Sequence, residues 1–224
     1  MIMTDYAIVL DMDGLMVDSE PSSRRAWDHV LGTYGHTLND DIYNSIIGYR
    51  IDETAAYLIE TYGLPLSIDT LTDQKASLLN KIRANGVPPM PGFYEFHSRI
   101  LQSGLIWAVA TSSPRSHAEE VLERLGISGS CQAIAGGDEV LQGKPAPDIY
   151  LLAAKRLGIP AAHCLAVEDS APGCRSALSA GMMVVAVPNQ DTKTADFSAV
   201  DYVFPSLYVV SERLDTLIKE LTKH

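Results

Sequence analysis

The sequence predicts an α/β protein: a doubly wound, Rossmann-like parallel sheet with an all-helical insertion after its first strand. Three observations predict it. A short aliphatic run, Ala7–Leu10, ends abruptly in Asp11 and Asp13. Residues 17 to 87 carry helical periodicity and no convincing strand. From Phe93 onward, helical and strand patterns alternate to the end of the chain, as they do in a parallel sheet covered on both faces.

Ala7–Leu10 carries no charge and reads as a strand buried on both faces. In extended chain, Asp11 and Asp13 project from one face at its carboxyl end. Gly14 then permits a sharp turn and the close approach of a ligand. A helix is expected from about 20 to 34, opened by Ser19-Glu20-Pro21 and closed by Gly35, with Ala26, Trp27, Val30 and Leu31 on one face. Further helices are expected at 40–47, 52–62 and 68–83, with Gly48 and Gly63 as terminators. Val87-Pro88-Pro89-Met90-Pro91-Gly92 is a stiff connector. The chain therefore divides into an α/β core, 1–16 and 88–224, and a helical insertion, 17–87. In the core, strands are expected at 105–110, 132–135, 164–167, 183–187 and 202–204. Helices are expected at 93–103, 116–125, 147–157, 173–180 and 210–221.

The composition narrows the function. The chain has 224 residues, 46% hydrophobic and 20% charged, which is ordinary globular usage. Its net charge of −11 disfavours nucleic acid, which needs a basic face, but a few placed cations suffice for a small anion. Cys131, Cys164 and Cys174 are odd in number and form no C-x-x-C, so neither a disulfide framework nor a zinc site is expected. The first apolar segment is not preceded by Lys or Arg and is interrupted by Asp11, unlike a signal peptide. The longest apolar run, 182–187, is far below the roughly 20 residues of a membrane helix. A cytoplasmic protein without a membrane or nucleic-acid partner is expected.

Three expected strands end in polar residues: Asp11 and Asp13, Thr111 and Ser112, Glu168 and Asp169. Ligands of open α/β sheets bind at that carboxyl edge, so the three endings point to one crevice. The acids would repel one another without a cation, and oxygen ligands with no nearby His or Cys favour Mg²⁺. Lys144, in Gly143-Lys144-Pro145, adds a positive charge. The Thr111 hydroxyl and neighbouring N–H groups can hold phosphoryl oxygens. Together these are the parts of a phosphoryl-transfer site.

With these residues in order, the chain resembles the haloacid dehalogenase-like hydrolase superfamily, in the branch with a helical cap after the first strand. Its four motifs read Asp11-Met12-Asp13-Gly14, Thr111, Lys144 and Glu168-Asp169. Within that branch, Asp11 through Glu20, Gly143 through Asp148 and Val167 through Ser170 are similar to the β-phosphoglucomutase and sugar-phosphate phosphatase group. The resemblance implies that Asp11 is the nucleophile and Asp13 the general acid and base. It implies Mg²⁺ held by the Asp11 carboxylate, the Asp13 backbone carbonyl and Asp169, with Glu168 acting through water. Gly14, Thr111, Ser112 and Lys144 would surround the phosphoryl group, and Glu20 and Arg50 would meet substrate from the cap. One departure bears on the reaction. Ser23 stands where the mutases carry a cap His, and the nearest His is His29.

The reading is a Mg²⁺-dependent phosphatase for a small phosphorylated metabolite, a sugar phosphate, working as a monomer or weak homo-oligomer. A phosphosugar mutase is the alternative, recognised by isomerised product. A non-catalytic phosphoaspartate switch is the alternative of another class. Asp13 argues against it, because a general acid two residues from the nucleophile accelerates turnover. Pro145 and the spacing from Gly137 to Gly143 do not fit a P-loop, and the chain has no G-x-S-x-G.

Overall fold

The computed structural model describes residues 5–84 and 86–222. Six strands form one sheet: β1 (Ala7–Leu10), β2 (Ile106–Thr111), β3 (Ala133–Gly136), β4 (Cys164–Glu168), β5 (Met183–Ala186) and β6 (Tyr202–Val203). The order is β3-β2-β1-β4-β5-β6, and every pairing is parallel. β1 lies between β2 and β4, with Leu10 opposite both Val109 and Val167. All four of its residues are buried, which is why its sequence tolerates no charge. The chain builds outward from β1 on one side, then returns to build from β4 on the other. The topological switch point of the sheet is therefore the carboxyl end of β1, where the Asp11 N–H donates to the Val167 carbonyl at 3.0 Å.

Five helices separate β1 from β2: α1 (Glu20–Gly32), α2 (Asp40–Ile46), α3 (Ile51–Tyr62), α4 (Ile68–Ile82) and α5 (Phe93–Gln102). The first four share their own apolar cluster, which includes Trp27, Leu31, Tyr43, Leu58 and Leu71. α4 packs on α1 and α3. Their starts carry local caps: Asn39 accepts from the Ile42 N–H at 2.8 Å, and Ser67 from the Thr70 N–H at 3.1 Å. Gly63 ends α3 in the left-handed conformation.

The remaining helices are α6 (Arg115–Arg124), α7 (Asp148–Leu157), α8 (Ala171–Ser179) and α9 (Leu207–Leu221). α5, α6 and α9 bury residues such as Phe96, Leu122 and Leu214 against one face of the sheet. α7 and α8 cover the other with Tyr150, Ala153, Cys174 and Ala177. α8 begins two residues earlier than its sequence pattern predicts. Ser170 caps it by accepting from the Gly173 N–H at 3.2 Å, and a proline fits its first turn. α9 starts three residues early, because Leu207 extends its buried stripe. Among the described residues no helix is long and apolar enough to cross a membrane.

Phe96 is fully buried under the sheet on α5. Phe96→Ala is expected to lower the unfolding free energy by about 4 kcal/mol in a urea titration, and a loss under about 1 kcal/mol would contradict its place in the core.

Candidate active site

The carboxyl ends of β1, β2 and β4 bring the sequence-predicted residues together around one buried lysine. Lys144 Nζ lies 2.5 Å from Asp11 Oδ1 and 2.6 Å from Glu168 Oε1, and donates to the Ala110 carbonyl at 3.1 Å. Burial disfavours its charge, but Asp11 and Glu168 outweigh that and hold the ammonium well above the ordinary lysine range. Glu168 is completely buried, and both its oxygens are taken. Oε1 also accepts from the Tyr150 hydroxyl at 3.0 Å. Oε2 accepts from the Asp169 N–H, the Ser170 N–H and the Ser170 hydroxyl at 2.9 to 3.0 Å. Asp169 is oriented by Asn189, whose Nδ2 donates to Asp169 Oδ2 at 2.8 Å and to the Gly14 carbonyl at 3.1 Å.

Glycines give this packing its room. A Cβ at Gly14, whose φ is +85°, would lie 2.4 Å from Asp169 Oδ2. A Cβ at Gly173 would lie 1.6 Å from Glu168 Oε1. Neither position admits a side chain without moving an acid of the site.

Asp11, Glu168 and Asp169 each offer a carboxylate oxygen within 4.8 Å of the others. Burial raises the Asp11 carboxyl well above its ordinary value, and Glu168 and Asp13 add to that against the opposing pull of Lys144. Burial also raises Asp169, reinforced by Glu168 and Asp11. One lysine against three buried carboxylates leaves a deficit of positive charge, and the available donors are all oxygens. That donor set fits a hard divalent cation.

The Asp13 carboxylate is turned away from this triad. Its Oδ2 accepts from the Ser113 hydroxyl at 2.7 Å and the Thr111 hydroxyl at 3.4 Å, and its Oδ1 lies 3.9 Å from an Arg83 nitrogen. Burial pushes its carboxyl up, but the Arg83 guanidinium and the hydrogen bonds of Ser113 and Ser19 outweigh it and leave it below the ordinary range. The two carboxylates of the first motif thus occupy different environments, one against Lys144 and the acids, the other among cations and hydroxyls.

Above them opens a cavity of about 960 Å³. Asp11, Asp13, Thr111, Ser112 and Asp169 form its core side, and Glu20, Ser23, Trp27, Lys75 and Arg83 are on the side of the helical insertion. Ser112 ties the two sides together, its hydroxyl donating to the Gly48 carbonyl at 2.9 Å. Glu20 accepts from the Tyr43 hydroxyl, and burial raises its carboxyl. Arg50 lies outside the cavity wall. Its guanidinium grips Asp52 at 2.8 and 3.1 Å and donates to the Val140 carbonyl at 3.1 Å, joining the insertion to the core. Ser113, Arg83, His117, Tyr150 and Asn189 were not singled out as site residues by the sequence. Only Ser113 carried a signal, as the residue after two others that end a strand.

Residues 8–187 match the family model described as haloacid dehalogenase-like hydrolase. The protein CbbY of Rhodobacter capsulatus is 35% identical over 215 residues, covering 90% of this chain and 93% of that one. The fructose-1-phosphate phosphatase YqaB of Escherichia coli is 32% identical over 183 residues, covering 80% and 95%. The crystal structure of CbbY from Rhodobacter sphaeroides in complex with phosphate superposes with a TM-score of 0.83 at 26% identity, covering 92% of this chain and 96% of that one.

If the acidic triad holds a cation, adding Mg²⁺ to metal-free protein raises its thermal midpoint. The gain is equivalent to about 2.7 kcal/mol at a hundred times the dissociation constant. Asp169→Asn is expected to abolish the gain, and a wild-type protein indifferent to Mg²⁺ would contradict the site.

Proposed function

The chain belongs to the haloacid dehalogenase-like hydrolase family, and from that premise we propose that it is a Mg²⁺-dependent phosphatase. Its substrate is a small phosphomonoester, a sugar phosphate, hydrolysed through a phosphoryl group carried on Asp11. The observation that carries this reading is the contrast between Asp11 and Asp13. Asp11 is buried against Lys144 at 2.5 Å beside two further acids, whereas Asp13 is held apart on Ser113 and Arg83. A nucleophile and a separate proton carrier require such a division. The name of the Escherichia coli relative, a fructose-1-phosphate phosphatase, supports a sugar phosphate as substrate.

In the first step Asp11 Oδ attacks phosphorus, the bond to the ester oxygen breaks, and protonated Asp13 gives its proton to the departing alkoxide. In the second, water attacks the phosphoryl group, Asp13 takes the water's proton, and the bond to Asp11 breaks to release phosphate. Lys144 favours the carboxylate form of Asp11 and offsets charge as phosphorus is attacked. Thr111 and the backbone around Ser112 provide donors for phosphoryl oxygens. Mg²⁺ held by Asp11, Asp169 and the Asp13 carbonyl, with Glu168 behind them, would supply further positive charge to the phosphoryl oxygens. The surroundings of Asp13 favour its carboxylate in the free protein, the form required for the second step. The arrival of an anionic phosphoryl group beside it favours uptake of the proton used in the first.

The insertion, 17–87, acts as a cap that excludes water from the reacting group. Ser23 lines the cavity and His29 does not, so α1 brings no histidine to Asp13 of the kind the mutases use. This favours hydrolysis over isomerisation.

Asp11→Asn is expected to lower turnover of the preferred ester by at least about 10³-fold with an unchanged circular dichroism spectrum; near-normal rates would sink the mechanism. Asp13→Asn should slow esters with poor leaving groups far more than aryl esters. Equal losses for both classes would remove Asp13 from the role of general acid.

A further inference from the structure

Arg83, just beyond the end of α4, turns into the cavity beside Asp13 in a position the mechanism above does not use. Its side chain is 9% exposed. One terminal nitrogen donates to the Ser19 carbonyl at 3.1 Å, the same one that stands 3.9 Å from Asp13 Oδ1. The other lies 3.0 Å from His117 Nε2. A guanidinium can only donate, so His117 accepts there and is the neutral imidazole. Arg83 Nε is buried and has no hydrogen-bond partner among the described residues.

A buried guanidinium with an idle donor is costly unless an acceptor arrives. The acids nearby are already engaged. Asp13 accepts from the Ser113 hydroxyl at 2.7 Å. Glu120, which lines the same end of the cavity, takes two nitrogens of Arg124 at 2.9 and 3.0 Å. A second buried cation on the same wall is also short of acceptors. Lys75 Nζ stands over the Trp27 ring at 5.2 Å, and among the described residues no carboxylate comes within salt-bridge distance. Burial and the neighbouring Arg83 push its ammonium down to about 8. Two cations borne by one helix and its end thus face the cavity without a close carboxylate among the described residues, Arg83 standing 3.9 Å from Asp13 and Lys75 resting on an aromatic ring.

We propose that Arg83 is a specificity residue that binds a second oxyanion, a carboxylate or a phosphate, on the alcohol portion of the substrate. The inference rests on the phosphatase reading, and it narrows the substrate class to phosphomonoesters whose leaving group is itself anionic. Asp13 hands its proton to the ester oxygen, so a guanidinium 3.9 Å from Asp13 reaches substituents close to that oxygen. An incoming oxyanion takes the idle Nε–H together with a terminal N–H in the two-point geometry guanidinium favours. The neutral His117 and the Ser19 carbonyl set the plane of the group. Because Arg83 belongs to the insertion and Asp13 to the core, the anion also joins the two.

The test compares matched esters that differ only in the second charge: 3-phosphoglycerate with glycerol 3-phosphate, and fructose 1,6-bisphosphate with fructose 1-phosphate. Wild-type protein is expected to show kcat/KM at least about tenfold higher for the anionic member of one pair; which pair responds tells carboxylate from phosphate. Arg83→Gln should erase most of that ratio, chiefly through KM, and Arg83→Lys should keep part of it. A wild-type enzyme without preference in either pair overturns the proposal. So does an Arg83→Gln variant that loses the same factor on both members, which would mark Arg83 as acting only through Asp13. Calorimetric binding of the same esters to Asp11→Asn protein, with and without Arg83→Gln, gives the comparison without turnover. Tighter binding of the anionic ester that Arg83→Gln removes supports the subsite, and equal binding overturns it. Hydrolysis of no ester at all would instead sink the phosphatase reading, and the calorimetric comparison then decides the subsite alone.

Discussion

The structure depends on one buried ammonium group. Lys144 is 2% exposed and is shared between Asp11 and Glu168. Without it, three carboxylates would be buried with no compensating charge, a loss that desolvation makes severe. Its position is determined by strands far from it in sequence: Asp11 follows the end of β1, β2 gives the Ala110 carbonyl and β4 ends at Glu168. The parallel sheet is thus the jig that allows one cation to serve two acids. Tyr150 and the start of α8 lock Glu168 from behind, so the charge cluster is held by the core and not by the cavity wall.

This arrangement separates two chemically identical side chains. Asp11 and Asp13 leave the same strand, but the tight turn at Gly14 and the hydroxyls beyond β2 draw Asp13 toward Ser113 and Thr111. Asp11 remains with Lys144. One faces the metal-fitting triad and the other faces the cavity and the helical insertion. The insertion has its own apolar core, separate from the clusters on the two faces of the sheet. Ser112 to Gly48 and Arg50 to Val140 are polar ties between it and the α/β core.

Much of this was legible in the sequence, for reasons that are local. An uncharged aliphatic strand ending in D-x-D-G predicts a central strand with two acids at its carboxyl edge, and the alternation after Phe93 predicts where Thr111 and Glu168 emerge. Lys144 entered as the cation that those acids need, and the family resemblance implied the roles. Arg83, His117 and Asn189 were not legible, because each is a single polar residue in an ordinary stretch. Arg83 meets His117 across 34 residues, and Asn189 meets Gly14 across 175. Arg50 shows the converse. Its motif context aimed it at substrate, but Asp52 and the carbonyls of the core loop offer its guanidinium nearer acceptors. Starts of helices were missed where a cap, as at Ser170, replaced the apolar pattern.

The most direct measurement is acid-quenched mass spectrometry of the protein during turnover of an aryl phosphate, whose departure needs no acid, with Mg²⁺, carried out on wild type and on Asp13→Asn. The account predicts one phosphoryl group on the peptide bearing Asp11, brief in wild type and accumulating in Asp13→Asn, where the second step lacks its base. Steady release of phosphate with Asp11 never modified in either protein would contradict the central claim.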